Sequence, residues 1–315
     1  MRGRRLFALL AALCLLGPPL SARAAGAVDA WDVLPASLAE EPAEEGEVQL
    51  LDYMSRVPGG RDAVAGVYLP PGYDPAERYD ALLLWPGTNG DYEDALLAEY
   101  PFLLDSGEVR EISARRVLDR MIETGLIRPL ILVCMQDTSG GEMRIAQRDL
   151  SSMLDTLGER YAVWTRADGL TPEEVRSHYT LFGFSLGAIY AQSAGLGLLY
   201  DRFGSFASLS YGTRWKYVCQ TVNESPLPLG FLYVLAGNET DFGAARARLG
   251  YELITGGCPD KVREGDNALL RETELYGHGY ELVTLGLWDL LPRVLPPAES
   301  GSDGVRASAV SEKGE

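Results

Sequence analysis

Nine residues limit what this chain can fold into more than any others do. Tyr179-Thr180-Leu181-Phe182-Gly183-Phe184 is an apolar strand pattern. It runs into Gly183-Phe184-Ser185-Leu186-Gly187, a Gly-x-Ser-x-Gly pentapeptide, and then into a helical pattern over residues 186–200. A chain that turns from a buried strand into a helix within one residue must bend sharply, and the residues two before and two after the bend must be small. A serine at such a bend is held out from the sheet with its hydroxyl exposed. The Leu186 amide and the start of the helix then face the same space, where they would stabilise a developing oxyanion.

The bend needs a sheet beneath it, and the rest of the chain predicts one. Short apolar runs fall at 48–54, 64–68, 81–85, 130–134, 179–184, 206–210, 231–235 and 269–276. Several lack any polar alternation, the pattern of strands covered on both faces. Helical patterns fall between them at 114–123, 145–161, 186–200, 244–254 and 282–290. In the second of these, Leu150, Met153, Leu154, Leu157 and Tyr161 repeat at three- and four-residue steps. Thr171-Pro172-Glu173-Glu174 has the form of a capping box. Strand–helix alternation predicts an α/β fold, a mostly parallel central sheet with helices on both faces. Residues 48–295 of the 315 are expected to form it as one domain.

The flanks read differently. Residues 1–24 have a basic start (Arg2, Arg4, Arg5), an apolar run over 6–16 and Ala22-Arg23-Ala24, the pattern of a cleaved signal peptide. The run is too short for a stable membrane anchor, so a secreted or periplasmic destination is expected, with no stable membrane insertion after cleavage. Residues 25–47, rich in Ala, Pro and Glu, read as an acidic linker or loose arm, and 296–315 as a disordered tail. The whole chain carries a formal charge of −17. Loss of residues 1–24 removes four arginines and no acid, which leaves 24 basic against 45 acidic side chains and a charge of −21. Such a surface repels phosphate backbones and argues against nucleic-acid binding. Cys134 lies in an apolar run and is expected to be a buried thiol, while Cys219 and Cys258 are the candidate pair for a disulfide. No Cys/His spacing resembles a zinc site, and neither metal nor cofactor is expected.

Two histidines remain after residue 24. His278 lies in Tyr276-Gly277-His278-Gly279-Tyr280, where flanking glycines suit a loop that presents a side chain. Its near-neutral pKa suits a general base for serine. His178 starts the strand that leads to Ser185 and so lies at the wrong end of it. The base needs a carboxylate partner, and in the order serine, acid, histidine the candidate is Asp241, with Glu239 as the alternative. A second oxyanion donor is expected from 86–90, where Pro86 has no N–H and Thr88 is favoured, with Asn89 next. Tyr211, Trp215, Tyr217, Phe242 and Tyr280 are expected at the same end of the sheet. Trp215 and Tyr280 are the foremost candidates for contact with a phenolic acid or sugar ring.

On these residues the chain resembles the putative-esterase family of α/β-hydrolases. That group includes feruloyl and acetyl-xylan esterases, S-formylglutathione hydrolase, siderophore esterases and mycolyltransferases. The resemblance covers about residues 48–294. It rests on Tyr68-Leu69-Pro70-Pro71-Gly72-Tyr73-Asp74, on 82–90, on Phe182-Gly183-Phe184-Ser185-Leu186-Gly187-Ala188, on 237–241, and on Gly277-His278-Gly279-Tyr280 with Trp288, Leu291 and Pro292. The feruloyl-esterase branch looks nearest. The chain departs from the family at Pro86-Gly87, where relatives carry His-Gly. The resemblance implies an α/β-hydrolase fold and a serine esterase that cleaves small-molecule or polysaccharide-linked esters, feruloyl or acetyl groups among them, through an acyl-enzyme. An acyltransferase with the same three residues, and a binding protein on a hydrolase scaffold, are the alternatives.

Overall fold

The fully apolar runs do become the centre of a sheet. The computed structural model describes residues 31–54, 62–136, 143–212 and 216–297. Its strands are β1 (Glu47–Met54), β2 (Asp62–Leu69), β3 (Asp80–Trp85), β4 (Glu99–Leu103), β5 (Val109–Ser113), β6 (Leu130–Cys134), β7 (Tyr179–Phe184), β8 (Ser205–Leu209), β9 (Phe231–Ala236) and β10 (Ala268–Glu272). Eight form one sheet in the order β1-β2-β6-β3-β7-β8-β9-β10. Its first three strands pair antiparallel and the rest parallel. Every residue of β3, β6, β7 and β8 is buried, as strands covered on two faces require.

The helices are α1 (Ala114–Glu123), α2 (Met143–Arg160), α3 (Pro172–Ser177), α4 (Leu186–Tyr190), α5 (Lys216–Glu224), α6 (Ala244–Gly257) and α7 (Glu281–Val294). Successive strand residues point to opposite faces and feed two cores. Leu83, Trp85 and Leu181 pack with Leu150, Met153 and Leu157 of α2. Leu82, Leu84, Phe182 and Phe184 pack with Val117, Leu118 and Met121 of α1 and Leu282 and Leu285 of α7. The capping box at Thr171 forms as read: Thr171 accepts from the Glu174 amide, and Glu174 accepts from the Thr171 amide at 2.7 Å.

Some boundaries differ. The helix expected over 186–200 is α-helical only to Tyr190 and then widens into a π-helical turn over Ala191–Leu196. There Gly195 lies so close to β7 that a Cβ would stand 2.4 Å from the Leu181 side chain. The last strand ends at Glu272, and the chain leaves the sheet before Tyr276. The hairpin β4–β5 escaped the sequence reading because its outward positions are charged or exposed and only Phe102, Ile112 and Ser113 are buried.

The expected loose arm is a larger correction. Of residues 25–47, those from 31 onward are described, and they pack against the domain. The Leu34 amide donates to the Leu103 carbonyl (3.1 Å), and the Asp105 amide donates to the Leu34 carbonyl (3.0 Å). Leu34 and Leu38 are fully buried against α1 and the β4–β5 hairpin's core. The Gly46 amide donates to buried Asp119 (3.0 Å). The acids that suggested solvation face the arginines of α1: Glu40 pairs with Arg120, Glu41 with Arg116 and Glu45 with Arg115. A composition dominated by Ala, Pro and Glu concealed two anchoring leucines. Residues 1–30 and 298–315, which carry the signal-peptide reading and most of the tail reading, lie outside the described residues. Among the described residues no helix is long and apolar enough to cross a membrane.

The Cys219–Cys258 disulfide is also corrected. Both residues, with Cys134, are buried free thiols. Cys219 sits within α5, and Cys258 is the first residue past the end of α6. Each thiol turns to a main-chain oxygen, Cys219 to Leu253 (3.6 Å) and Cys258 to Cys219 (3.8 Å).

If residues 31–46 are part of the domain, Leu38→Ala should cost about 2–4 kcal/mol in urea unfolding, the usual price of emptying a buried leucine site. A cost below about 0.5 kcal/mol, the range of surface substitutions, would mean that the arm is not docked in solution.

Candidate active site

Strand β7 delivers Ser185 to the carboxyl ends of the parallel strands, between β3 and β8. The Ser185 amide donates to the Leu209 carbonyl (3.0 Å), which continues the β7–β8 ladder by one bond into the turn. Ser185 itself has φ 55° and ψ −114°, a conformation L-residues rarely adopt. Two glycines allow the bend. A Cβ on Gly183 would stand 2.1 Å from the Gly187 carbonyl oxygen, and a Cβ on Gly187 would stand 2.0 Å from the Trp85 carbonyl oxygen. These are backbone-to-backbone contacts that no side-chain rotation relieves. The Gly-x-Ser-x-Gly pattern is therefore a steric requirement of this turn. Leu186 opens α4, so its amide has no partner within the helix.

His278 arrives on the loop between β10 and α7. Its Nε2 lies 2.8 Å from Ser185 Oγ, and its Nδ1 lies 2.7 Å from Asp241 Oδ1. Asp241 follows β9. Glu239, the alternative acid, is exposed two residues earlier, and Asp241 is the residue that faces the imidazole. The Asp241 carboxylate is almost fully buried and surrounded by donors. Oδ1 also accepts from the Gly243 amide (2.9 Å), and Oδ2 accepts from the Gly237 amide (2.8 Å) and the Ser210 hydroxyl (2.7 Å). Burial alone pushes its pKa up. The hydrogen bonds from His278, Ser210, Gly237 and Gly243 outweigh that and hold it below the ordinary 3.8. Ser210 was not anticipated as a site residue. It follows β8 directly, is fully buried, and has φ 58°, which turns its hydroxyl to Asp241. Only that backbone angle marks it, and sequence does not show it.

The other candidates separate into three groups. His178 lies at the far end of β7, bonded to Asp80 (2.5 Å) and stacked on Trp164, away from Ser185. A cavity of about 690 Å³ opens at that far end beside Trp164, Tyr179 and Arg202, and none of Ser185, His278 or Asp241 lines it. At the serine end, the loop after β3 brings Gly87 against Ser185: a Cβ on Gly87 would be 3.4 Å from the serine Cβ. Thr88 and Asn89 follow at the exposed crest, with Asn89 at φ 61°. Phe242 is 73 % exposed, and its ring centroid lies 3.8 Å from that of His278. Tyr217 is equally exposed, and Trp215 lies outside the described residues. Tyr280 packs between Phe184 and Tyr100, with its hydroxyl turned inward toward the loop at Gly90 rather than out to solvent. Among the described residues no three His, Cys, Asp or Glu side chains are grouped to hold a metal ion.

Two outcomes follow from this geometry. Gly187→Ala should lower stability by about 3 kcal/mol or more, at the upper end of overpacking costs, because its Cβ meets main chain. Gly87→Ala, with room at 3.4 Å, should melt within a few degrees of the wild type. Equal melting of the two would contradict the elbow geometry. Asp241 has a folded pKa below its unfolded value, so its stabilisation is present above pH 3.8 and is lost as the pH falls through the folded value. Urea unfolding should therefore show a stability gap between wild type and Asp241→Asn that is widest near pH 7 and narrows toward pH 3. A gap independent of pH would contradict the assignment.

No family model matches the chain. A curated relative, endo-1,4-beta-xylanase Y from Acetivibrio thermocellus, is 25 % identical over 189 residues, which take in 56 % of this chain and 16 % of that much longer protein. Among solved structures, the feruloyl esterase module from Clostridium thermocellum complexed with sinapinate superposes with a TM-score of 0.64 at 19 % identity, over 87 % of this chain and 96 % of that one. A ferulic acid esterase from Anaeromyces mucronatus gives 0.61 at 14 % identity, over 84 % and 97 %. The enterobactin esterase from Shigella flexneri gives 0.55 at 14 % identity, over 83 % and 62 %. These three solved structures are esterases, and the chain has their α/β-hydrolase fold.

Proposed function

We propose that this protein is an exported serine esterase that hydrolyses carboxylic esters, of the feruloyl or acetyl type carried on plant polysaccharide. The observation that carries the reading is the continuous chain Ser185 Oγ–His278 Nε2 (2.8 Å) and His278 Nδ1–Asp241 Oδ1 (2.7 Å), set on a strained turn beside an open loop. Export rests on the signal-peptide pattern of residues 1–24.

In this mechanism Ser185 Oγ attacks the ester carbonyl carbon while His278 Nε2 takes its proton. Asp241 accepts from Nδ1–H. This fixes the tautomer that leaves Nε2 free as base, and its negative charge stabilises the imidazolium that results. The oxyanion accepts hydrogen bonds from the Leu186 and Thr88 amides, donors fixed in place before the charge develops. Collapse breaks the bond to the alcohol, which leaves with the proton from His278. Water, deprotonated by His278, then attacks the acyl-enzyme, and the acid departs as Oγ regains its proton.

The exposed Phe242 ring over the imidazole supports an aromatic acyl group, since a planar phenolic acid gains from stacking against an aromatic wall. The feruloyl esterase neighbours and the xylanase relative agree with an ester on plant polysaccharide.

Wild-type protein should be labelled by a fluorophosphonate and should turn over a panel of acetyl, butyryl and feruloyl esters. Ser185→Ala should abolish labelling and lower kcat by about 10⁶-fold, and Asp241→Asn should lower kcat by about 10⁴-fold with the serine still present. A folded wild type that neither labels nor hydrolyses any ester would overturn the reading in favour of a binding protein on a hydrolase scaffold.

A further inference from the structure

The loop after β3 has little to hold it. Pro86 follows Trp85, the last β3 residue paired to β7, and has no amide with which to extend the ladder. One internal bond, from the Gly90 amide to the Gly87 carbonyl (3.1 Å), closes the turn, and Asn89 at its crest takes a left-handed φ of 61°. Thr88 lies inside this turn, so any amide that Thr88 offers to substrate is only as fixed as the turn itself.

One side chain reaches into it. The Tyr280 hydroxyl stands where a side chain on Gly90 would begin: a Cβ there would lie 1.6 Å from the hydroxyl oxygen and 2.9 Å from Cζ. Burial holds the pKa of that hydroxyl well above the ordinary 10, and the Gly87 backbone opposes the shift. The hydroxyl thus packs against the Gly90 end of the turn that contains Thr88. Its ring is held on two sides, at 5.1 Å from Phe184, which precedes the serine, and at 6.2 Å from Tyr100 of β4. Tyr280 also lies two residues after His278 and is the N-cap residue of α7.

We infer that Tyr280 is a positioning residue: its hydroxyl fixes the 87–90 turn, and with it the Thr88 amide, relative to the imidazole loop. This reading replaces a substrate-contact role for Tyr280 and rests on the esterase function proposed above. Glycine at 90 is required because the hydroxyl takes the space of any larger residue.

The experiment combines kinetics with a double-mutant cycle. Tyr280→Phe should lower kcat about tenfold to a hundredfold, the effect expected of displacing one oxyanion donor rather than removing it, with KM changed less than about twofold. Affinity for an arylboronic acid, which forms a tetrahedral adduct on Ser185, should fall by the same factor, a readout that a purely structural role would not move in step with kcat. In thermal melting, Gly90→Ala should be destabilising in the wild-type background and less so beside Tyr280→Phe, because the removed oxygen is the atom it meets first. A rise in KM with kcat unchanged, or unchanged kcat and boronate affinity, would overturn the inference. If the wild type hydrolyses no ester, the esterase reading fails, and melting alone decides the strut: additive effects of Gly90→Ala and Tyr280→Phe would sink it.

Discussion

The contact on which the site depends is one between main-chain atoms. Where Gly187 passes the Trp85 carbonyl, helix α4 comes closer to β3 than any residue with a Cβ permits. That approach lets the chain reverse at Ser185, and the reversal places a hydroxyl, a helix start and the loop after β3 around one point. The positive φ of Ser185 is held there by its amide bond to Leu209 and by the fully buried strands on either side. Strain of this kind persists only where the surroundings over-determine it. A sheet with both faces covered does so.

The second constraint is electrostatic and local. The protein as a whole is strongly acidic, yet the carboxylate that matters is out of water and satisfied by four donors. Three of those donors are main-chain or hydroxyl groups of the framework: Ser210 follows β8, Gly237 follows β9, and Gly243 is the N-cap of α6. They keep Asp241 ionised and aimed, which in turn fixes the imidazole. The pentapeptide at Ser185 and the loop at Asp241 are thus parts of one sheet edge, where β7, β8 and β9 end side by side.

Much of this was legible beforehand, for identifiable reasons. Unbroken apolar runs at β3, β6, β7 and β8 have few ways to be buried other than a two-sided parallel sheet, and small residues around Ser185 announce a tight turn. His278 stood out because histidines are scarce and its neighbours are glycines. What stayed hidden depends on contacts distant in sequence. Asp241 and Glu239 are alike until the position of β10's loop is known. Ser210 looks like the last residue of a strand, and its role comes from a backbone angle. Tyr280 looks like an exposed aromatic beside the histidine, and only the approach of residues 87–90 turns its hydroxyl inward. The arm at 31–46 was misread because two leucines among glutamates carry little pattern, while their partners, the arginines of α1, lie about 75 residues away.

The strand order also sets when the site comes into being. Ser185 and His278 are 93 residues apart in sequence, and β3 must wait for β7 before it has neighbours on both sides. Parallel pairings between distant segments form slowly, because loop closure must precede the contacts that reward it. The hydroxyl, imidazole and carboxylate therefore come into register only after β7, β8, β9 and β10 have assembled and α7 has docked. Under the proposed mechanism, reactivity at Ser185 therefore requires the assembled sheet, and its helices alone would be chemically silent.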